Sequence, residues 1–169
     1  MRALKIFLPA LAAVALAGCA TYHLGPVMDG NSDKTVEVMP FNNQTLQPRL
    51  GDALTQALRE RFQTDGTYHL ATHGSGDIVL TGVVRQYQRV GMGYSSVDAF
   101  TPENYRVEII VHVTARERST GKALIDRDVK AHTLVHIGSD LASAERQALP
   151  LMAEDLARNI TELLTGGAW

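Results

Sequence analysis

The spacing of apolar and polar positions changes several times along this chain, and each change marks an element. Ile6 to Leu16 is an apolar run rich in Ala and Leu, preceded by a short positive start of Met1, Arg2 and Lys5. The run is too short to span a bilayer. From Thr35 to Phe41, Val36 and Val38 alternate with polar positions, which predicts a first strand that Pro40 ends or places at an edge. The period then lengthens: Leu50, Leu54, Ala57, Leu58, Arg61 and Phe62 recur at helical spacing. Pro48 suits the first position of this helix and Gly66 its end.

Strand periodicity returns in Thr67 to Thr72, a short segment, and in Asp77 to Gln88, which is rich in β-branched residues. Asn104 to Arg118 alternates most clearly, with Val107, Ile109, Val111, Val113 and Ala115 on one face. Lys122 to Ile137 reads as the last strand. From Leu141 to Leu164 the pattern is helical again, with a stripe of Leu149, Met152, Leu156, Ile160 and Leu163. Pro150 predicts a kink or a break inside it.

The turn between the last two strands sets their register. A three-residue loop, Ser119-Thr120-Gly121, puts Gly121 where such hairpins favour a left-handed residue. Val111 then faces Val129, Ile109 faces Ala131, and Ala115 faces Ile125. On the other face Glu108 meets His132 and His112 meets Asp128, which are favourable cross-strand pairs. A slip of one residue would oppose apolar to charged side chains throughout.

Two helices and a sheet with one apolar face predict an α+β fold. It is a two-layer α/β sandwich, with both helices on one face of a mostly antiparallel sheet of four to five strands. A single apolar face leaves the other to solvent or to a partner. The expected organisation is an export signal over residues 1–18, a tether over 19–34 marked by Gly25, Pro26 and Gly30, and one domain over 35–169.

Removing 18 of the 169 residues leaves enough chain for one well-buried domain without disulfides. The whole chain has 16 Lys and Arg against 18 Asp and Glu, and the mature part loses two of the cations. That balance excludes a general nucleic-acid binder, which needs a basic field. Ile6 to Leu16 is the longest apolar run, and none after it approaches the length of a membrane helix.

The single cysteine, Cys19, can form neither an internal disulfide nor a cysteine-paired metal site. Its place is explained by what precedes it: a positive start, a short apolar run and small residues, the layout of a bacterial export signal. Leu16-Ala17-Gly18-Cys19 resembles the lipobox of bacterial lipoproteins at every position. That resemblance implies diacylglyceryl transfer to the Cys19 sulfur, cleavage before it and acylation of the new amino terminus. One acyl chain gives marginal attachment and several give a lasting anchor. Ala20, rather than an aspartate, follows the cysteine, which in such lipoproteins favours the outer membrane.

Catalytic signals are weak. "HGSGD" (His73 to Asp77) lacks the spacing and the following helix of a nucleophile elbow, so Ser75 reads as part of a turn. "GMGYSS" (Gly91 to Ser96) lacks the last glycine of a dinucleotide loop and no helix follows it. The six histidines show no ligand spacing supported by cysteine or carboxylate. No enzyme, cofactor or metal site is expected.

The mature chain resembles a known family, the lipopolysaccharide-assembly lipoproteins (LptE). The resemblance is carried, in order, by "YHLGP", "KTVEVMPFNNQTLQPRL", "FQTDGTYHL", "GDIVLTG", "ERSTGKAL" and "GSDLASAERQALPLMAEDLARNI". One departure is that Ala20 and Thr21 follow the cysteine, where members often carry Gly-Tyr-His after it. The family implies a non-enzymatic outer-membrane lipoprotein on the periplasmic side. It partners and plugs a large β-barrel (LptD-like) during lipopolysaccharide export, and binds lipopolysaccharide itself. An uncovered polar sheet face would suit a polar barrel lumen, and lipid A phosphates would call for Arg or Lys beside apolar side chains.

Antiparallel strands would bring a long loop, Arg89 to Glu103, and the loop Gly138 to Leu141 to one end of the sheet. Arg89 and Arg106 flank the first loop, with Tyr94 and Phe100 inside it, and these four are the expected lipopolysaccharide contacts. "VEVMPFNNQT" with its helix, followed by "GDIVLTGVV", also looks like the curli-secretion and penicillin-binding-protein-activator lipoproteins. Those act as a pore subunit or an enzyme regulator. The short tether and the lack of membrane-inserting hairpins favour the lipopolysaccharide reading.

Overall fold

A computed structural model of the chain describes residues 34–94, 102–136 and 141–166. The expected signal segment, Cys19 and nearly all of the tether fall outside these residues, as does Phe100. The elements are β1 (Thr35–Val38), β2 (Asn42–Asn43), α1 (Leu50–Asp65), β3 (His69–Leu70), β4 (Ile78–Tyr94), β5 (Pro102–Glu117), β6 (Ala123–His136) and α2 (Leu141–Thr165). No helix among them is long and apolar enough to cross a membrane.

The sheet has six strands, in the order β3-β1-β4-β5-β6, with β2 also on β4. It is mixed, which corrects the mostly antiparallel sheet of four to five strands expected above. β1 runs parallel to both β3 and β4, and β2 parallel to β4, whereas β4, β5 and β6 form an antiparallel meander. The parallel pairings follow from α1, which returns the chain so that β3 starts at the same end as β1.

The strands β4 and β5 are longer than their alternation suggests. The segment expected as a loop from Arg89 to Glu103 is largely ladder: β4 continues to Tyr94 and β5 begins at Pro102. Gly91 and Gly93 weaken strand propensity, but Tyr105 and Asn104 of β5 stand opposite Gly91 and Met92 and extend the pairing. Beyond Val84, among the described residues, β4 pairs with β5 alone.

The β5–β6 hairpin has the register that the turn predicts. Val111 opposes Val129, Ile109 opposes Ala131, Ala115 opposes Ile125, and His112 opposes Asp128. Gly121 adopts φ 71°, the left-handed conformation a glycine permits. Val107, Ile109, Val111, Val113 and Ala115 are all fully buried.

Both helices contribute to one core. Leu50, Leu54, Leu58 and Phe62 of α1 join Met152, Leu156, Ile160 and Leu164 of α2 and the apolar sheet face. Burying each such side chain is worth about 1.5–3 kcal/mol. α1 starts at Leu50, two residues after Pro48, because Arg49 takes a left-handed φ of 61° just before it. Arg61 lies at the margin of the expected stripe and pairs with Asp65 at 3.5 Å. α2 runs through Pro150 without a break. The proline faces solvent, where water can serve the carbonyl it cannot bond, while Ala148, Met152 and Ala153 hold both halves against the core. Leu164 takes the core position at the end of the stripe, with Leu163 beside it.

One close approach fixes the sheet's centre. A Cβ on Gly82 would stand 2.1–2.6 Å from three ring atoms of Phe41, so only glycine lets that ring lie on β4. The Phe41 amide donates to buried Thr55 Oγ1 (3.0 Å), which in turn donates to the Gly51 carbonyl (2.7 Å).

Candidate functional site

With both helices on one side, no other element among the described residues covers the other face of β4, β5 and β6. Its rows read, from the proximal end near Gly121 to the distal end near Tyr94, as Thr81–Thr114–Asp126, Val83–His112–Asp128, Gln86–Ile110–Lys130, Gln88–Glu108–His132, Val90–Arg106–Leu134 and Met92–Asn104–His136. Successive rows lie on one face because side chains alternate.

Ion pairing dominates the proximal rows. His112 Nε2 lies 3.1 Å from Asp126 and Nδ1 2.8 Å from Asp128. Arg85 reaches the same Asp128 oxygen at 3.2 Å, and Arg116 reaches Asp126 at 3.6 Å. Among the described residues no group of three or more His, Cys, Asp or Glu is arranged to hold a metal ion.

Apolar surface dominates the distal rows. Val90, Met92 and Leu134 are 39%, 38% and 66% exposed, a cluster that folding alone does not require. Arg106 stands among them, opposite Val90 and Leu134, and its buried Nε has no hydrogen-bond partner. A cation inside an apolar patch can bind an amphipathic anion, one part satisfying the charge and another covering the side chains.

Arg89 takes the opposite face. A bulge at Arg85 inserts one residue between Val84 and Gln86, so every later side chain of β4 changes sides. Arg89 therefore opposes core residue Val107 and pairs with Glu145 of α2, donating from Nη2 at 3.1 Å. Its guanidinium lies 5.8 Å from the centre of the Tyr87 ring. Burial, and then the negative charge of Glu145, push the Tyr87 hydroxyl above its usual range.

Of the four expected lipid contacts, the open face carries Arg106, while the Tyr94 hydroxyl folds back to within 3.2 Å of where a Cβ on Gly91 would stand, on the Arg89 side of β4. Arg89 is turned to the helix layer, and Phe100 lies outside the described residues. Val90, Met92 and Leu134 complete the cluster and were not among the expected contacts. Leu134 was visible in principle, as the apolar residue that follows polar Asp126, Asp128, Lys130 and His132 at alternate positions.

A groove of about 530 Å³ between α1 and α2 is the weaker candidate. Four of its five charged side chains, all but Glu154, are engaged along their own helices, as in Arg61–Asp65 and Arg158–Asp155.

The proximal corner is fixed by two carboxylates. Asp77 accepts from the Thr35 amide (2.9 Å) and hydroxyl (2.8 Å), and these bonds hold its carboxyl below the usual range. Glu117 is lowered by the Thr120 hydroxyl (2.7 Å), then by Lys34 (3.3 Å). Arg118 reaches across to Glu37 and to the Gly76 carbonyl (2.8 Å).

A family model described as LptE, lipopolysaccharide-assembly, matches residues 34–164. No curated protein matches the chain. Among solved structures, a protein from Xanthomonas campestris is similar with a TM-score of 0.60 at 14% identity, over 84% of this chain and 90% of its own. A minor lipoprotein from Acinetobacter baumannii gives 0.53 at 15%, over 79% and 93%. An uncharacterized lipoprotein B from Nitrosomonas europaea gives 0.53 at 11%, over 88% and 92%. At such identities these likenesses concern the fold alone.

Proposed function

Because the chain belongs to the LptE family of lipopolysaccharide-assembly proteins, we propose that it is a non-enzymatic outer-membrane lipoprotein that partners and plugs an LptD-like β-barrel. The lipids on Cys19 hold it to the membrane on the periplasmic side. The observation that carries this reading is the open face of β4, β5 and β6. It is polar along most of its length, as a surface meeting the polar lumen of a large barrel must be.

The same reading gives the distal cluster to lipopolysaccharide. Arg106 would meet a phosphate of the lipid, and Val90, Met92 and Leu134 its apolar portion, with Tyr94 reaching it from the rim of the sheet. Phe100 belongs to this contact by its place in the sequence. Arg89 contributes from the rim if its pairing with Glu145 is shared with the ligand.

Affinity purification of the tagged full-length protein from detergent-solubilised outer membranes tests the reading. A large β-barrel recovered in equal amount supports it. A ring of identical copies, or a cell-wall synthase, would overturn it in favour of the pore-subunit or enzyme-regulator class.

A further inference from the structure

The rows of the open face hold three carboxylates. Asp126 is held by His112 and Arg116, and Asp128 by His112 and Arg85. Glu108 is held by nothing. It stands between Gln88 and His132, yet among the described residues it forms no ion pair or hydrogen bond. Gln88 is engaged by Gln86 instead, at 2.6 Å. Along β5 the neighbours of Glu108 on this face are Ile110 and Arg106. Arg106 and Glu108 are both half-buried, about 6.8 Å apart along the strand, and do not pair with one another either.

A free carboxylate beside the cation that receives an anion works against a bare phosphate. At one ladder step the two negative charges lie within a Debye length, so their repulsion is not screened away. The same pair becomes favourable if the ligand brings its own cation. We infer that Arg106 and Glu108 together read a lipopolysaccharide phosphate that carries a primary amine, the phosphate meeting Arg106 and the amine Glu108. This rests on the distal cluster being the lipopolysaccharide contact.

The order of residues along the ribbon agrees with that assignment. From the distal end inward the surface is apolar at Met92, apolar around a cation at Val90, Arg106 and Leu134, and anionic at Glu108. A lipid whose apolar portion, phosphate and amine follow in sequence matches this order in one direction only. Lys130 and His132 lie on β6 in the rows of Ile110 and Glu108, and both are exposed. They add positive charge for the remainder of an anionic head group, but neither takes up the Glu108 carboxylate, so the penalty on a bare phosphate stands. Specificity is commonly built this way, from a group that disfavours the wrong ligand as well as one that favours the right one.

The test measures binding of the full-length chain, in a non-ionic detergent, to two purified lipopolysaccharides that differ only by an ethanolamine on the phosphate. The wild type should prefer the amine-bearing form about fivefold, the upper range for a partly exposed ion pair. Glu108→Gln keeps the shape and removes the charge. It should abolish the preference by tightening the bare form, at an unchanged melting temperature. Arg106→Gln should weaken both forms. Equal affinities in the wild type, or a preference that survives E108Q, would overturn the inference. So would a preference that disappears when magnesium is added, since a bridging cation would then be what answers Glu108. Vesicles of phosphatidylethanolamine that compete as well as the amine-bearing lipopolysaccharide would overturn the assignment to lipopolysaccharide. If neither lipopolysaccharide binds, the lipid contact itself fails and this inference with it. If both bind equally, the contact stands and only the reading of the amine is lost.

Discussion

The two ends of the β4–β5–β6 ribbon come from the same strands but spend their side chains differently. At the proximal end β1 and β3 widen the sheet, and the open face is tied together by Arg85, His112, Arg116, Asp126 and Asp128. At the distal end three strands remain among the described residues, and Val90, Met92 and Leu134 are exposed around an incompletely bonded Arg106. One end satisfies itself; the other is left to be satisfied. Polar groups that find partners within the chain stabilise the fold, whereas exposed apolar groups beside an unpaired donor contribute only when something binds.

Equal truncations at the two ends should therefore have opposite outcomes. Leu80→Ala removes a fully buried side chain from β4 and should cost about 2–5 kcal/mol in chemical denaturation. Leu134→Ala removes an exposed one and should change stability by no more than about 0.5 kcal/mol. It should instead weaken lipopolysaccharide binding. If L134A proves the more destabilising, the division drawn between the ends is wrong.

A subtler lesion at the proximal side is Gly82→Ala. Its methyl group would overlap the Phe41 ring, and β4, held by β1 on one side and β5 on the other, has little room to shift. The expected cost is about 1–3 kcal/mol, read by the denaturation midpoint. Combining it with Phe41→Leu, which shortens the obstacle, should recover part of the loss.

Much of the proximal architecture was legible in the sequence, and the reason is locality. The β5–β6 register followed from one glycine and a period-two pattern, both within a single hairpin. β2 is two residues, too short for any periodicity, β3 is the two residues His69–Leu70 of the strand expected over Thr67–Thr72, and the parallel pairing of β1 with β4 joins segments about forty residues apart. The candidate site was only half legible. Counting alternate residues from Ile78 puts Arg89 on the open face, but the bulge at Arg85 adds one residue and reverses the count. Nothing in the residue type of Arg85 signals that bulge, so the two arginines looked equivalent and are not.

That inequivalence is open to measurement. Arg89→Glu sets a carboxylate against buried Glu145 and should lower stability by about 1–2 kcal/mol, less than a fully buried pair would lose because the guanidinium is half-exposed. Arg106→Glu has no such partner to offend. It should leave the melting temperature within about two degrees and reduce lipopolysaccharide binding about tenfold, roughly 1.4 kcal/mol. Thermal melts and a direct binding assay on both variants separate the two roles. A loss of binding in R89E at unchanged stability would show that the lipid shares Arg89 with Glu145.

The smallest effect concerns acid, and it too should belong to the proximal end. Asp77 and Glu117 are both held below their ordinary values by hydrogen bonds that fix the start of β1 to β4 and the end of β5 to the hairpin turn. A carboxyl that ionises more readily folded than unfolded binds fewer protons in the native state, so stability rises with pH across that interval. Their contribution is complete above the ordinary carboxylate range and is lost as pH falls through the lower native values. Melting temperatures recorded from pH 6 down to pH 3 should therefore decline, and less steeply in D77N and E117Q, which remove one titrating group each. Asp77 is exposed and Glu117 partly so, and salt should blunt the Lys34 share of the Glu117 effect but not the hydrogen bonds from Thr35 and Thr120. Parallel profiles for the wild type and both variants would show that these bonds do not bias protonation, and that the proximal corner owes its order to packing alone.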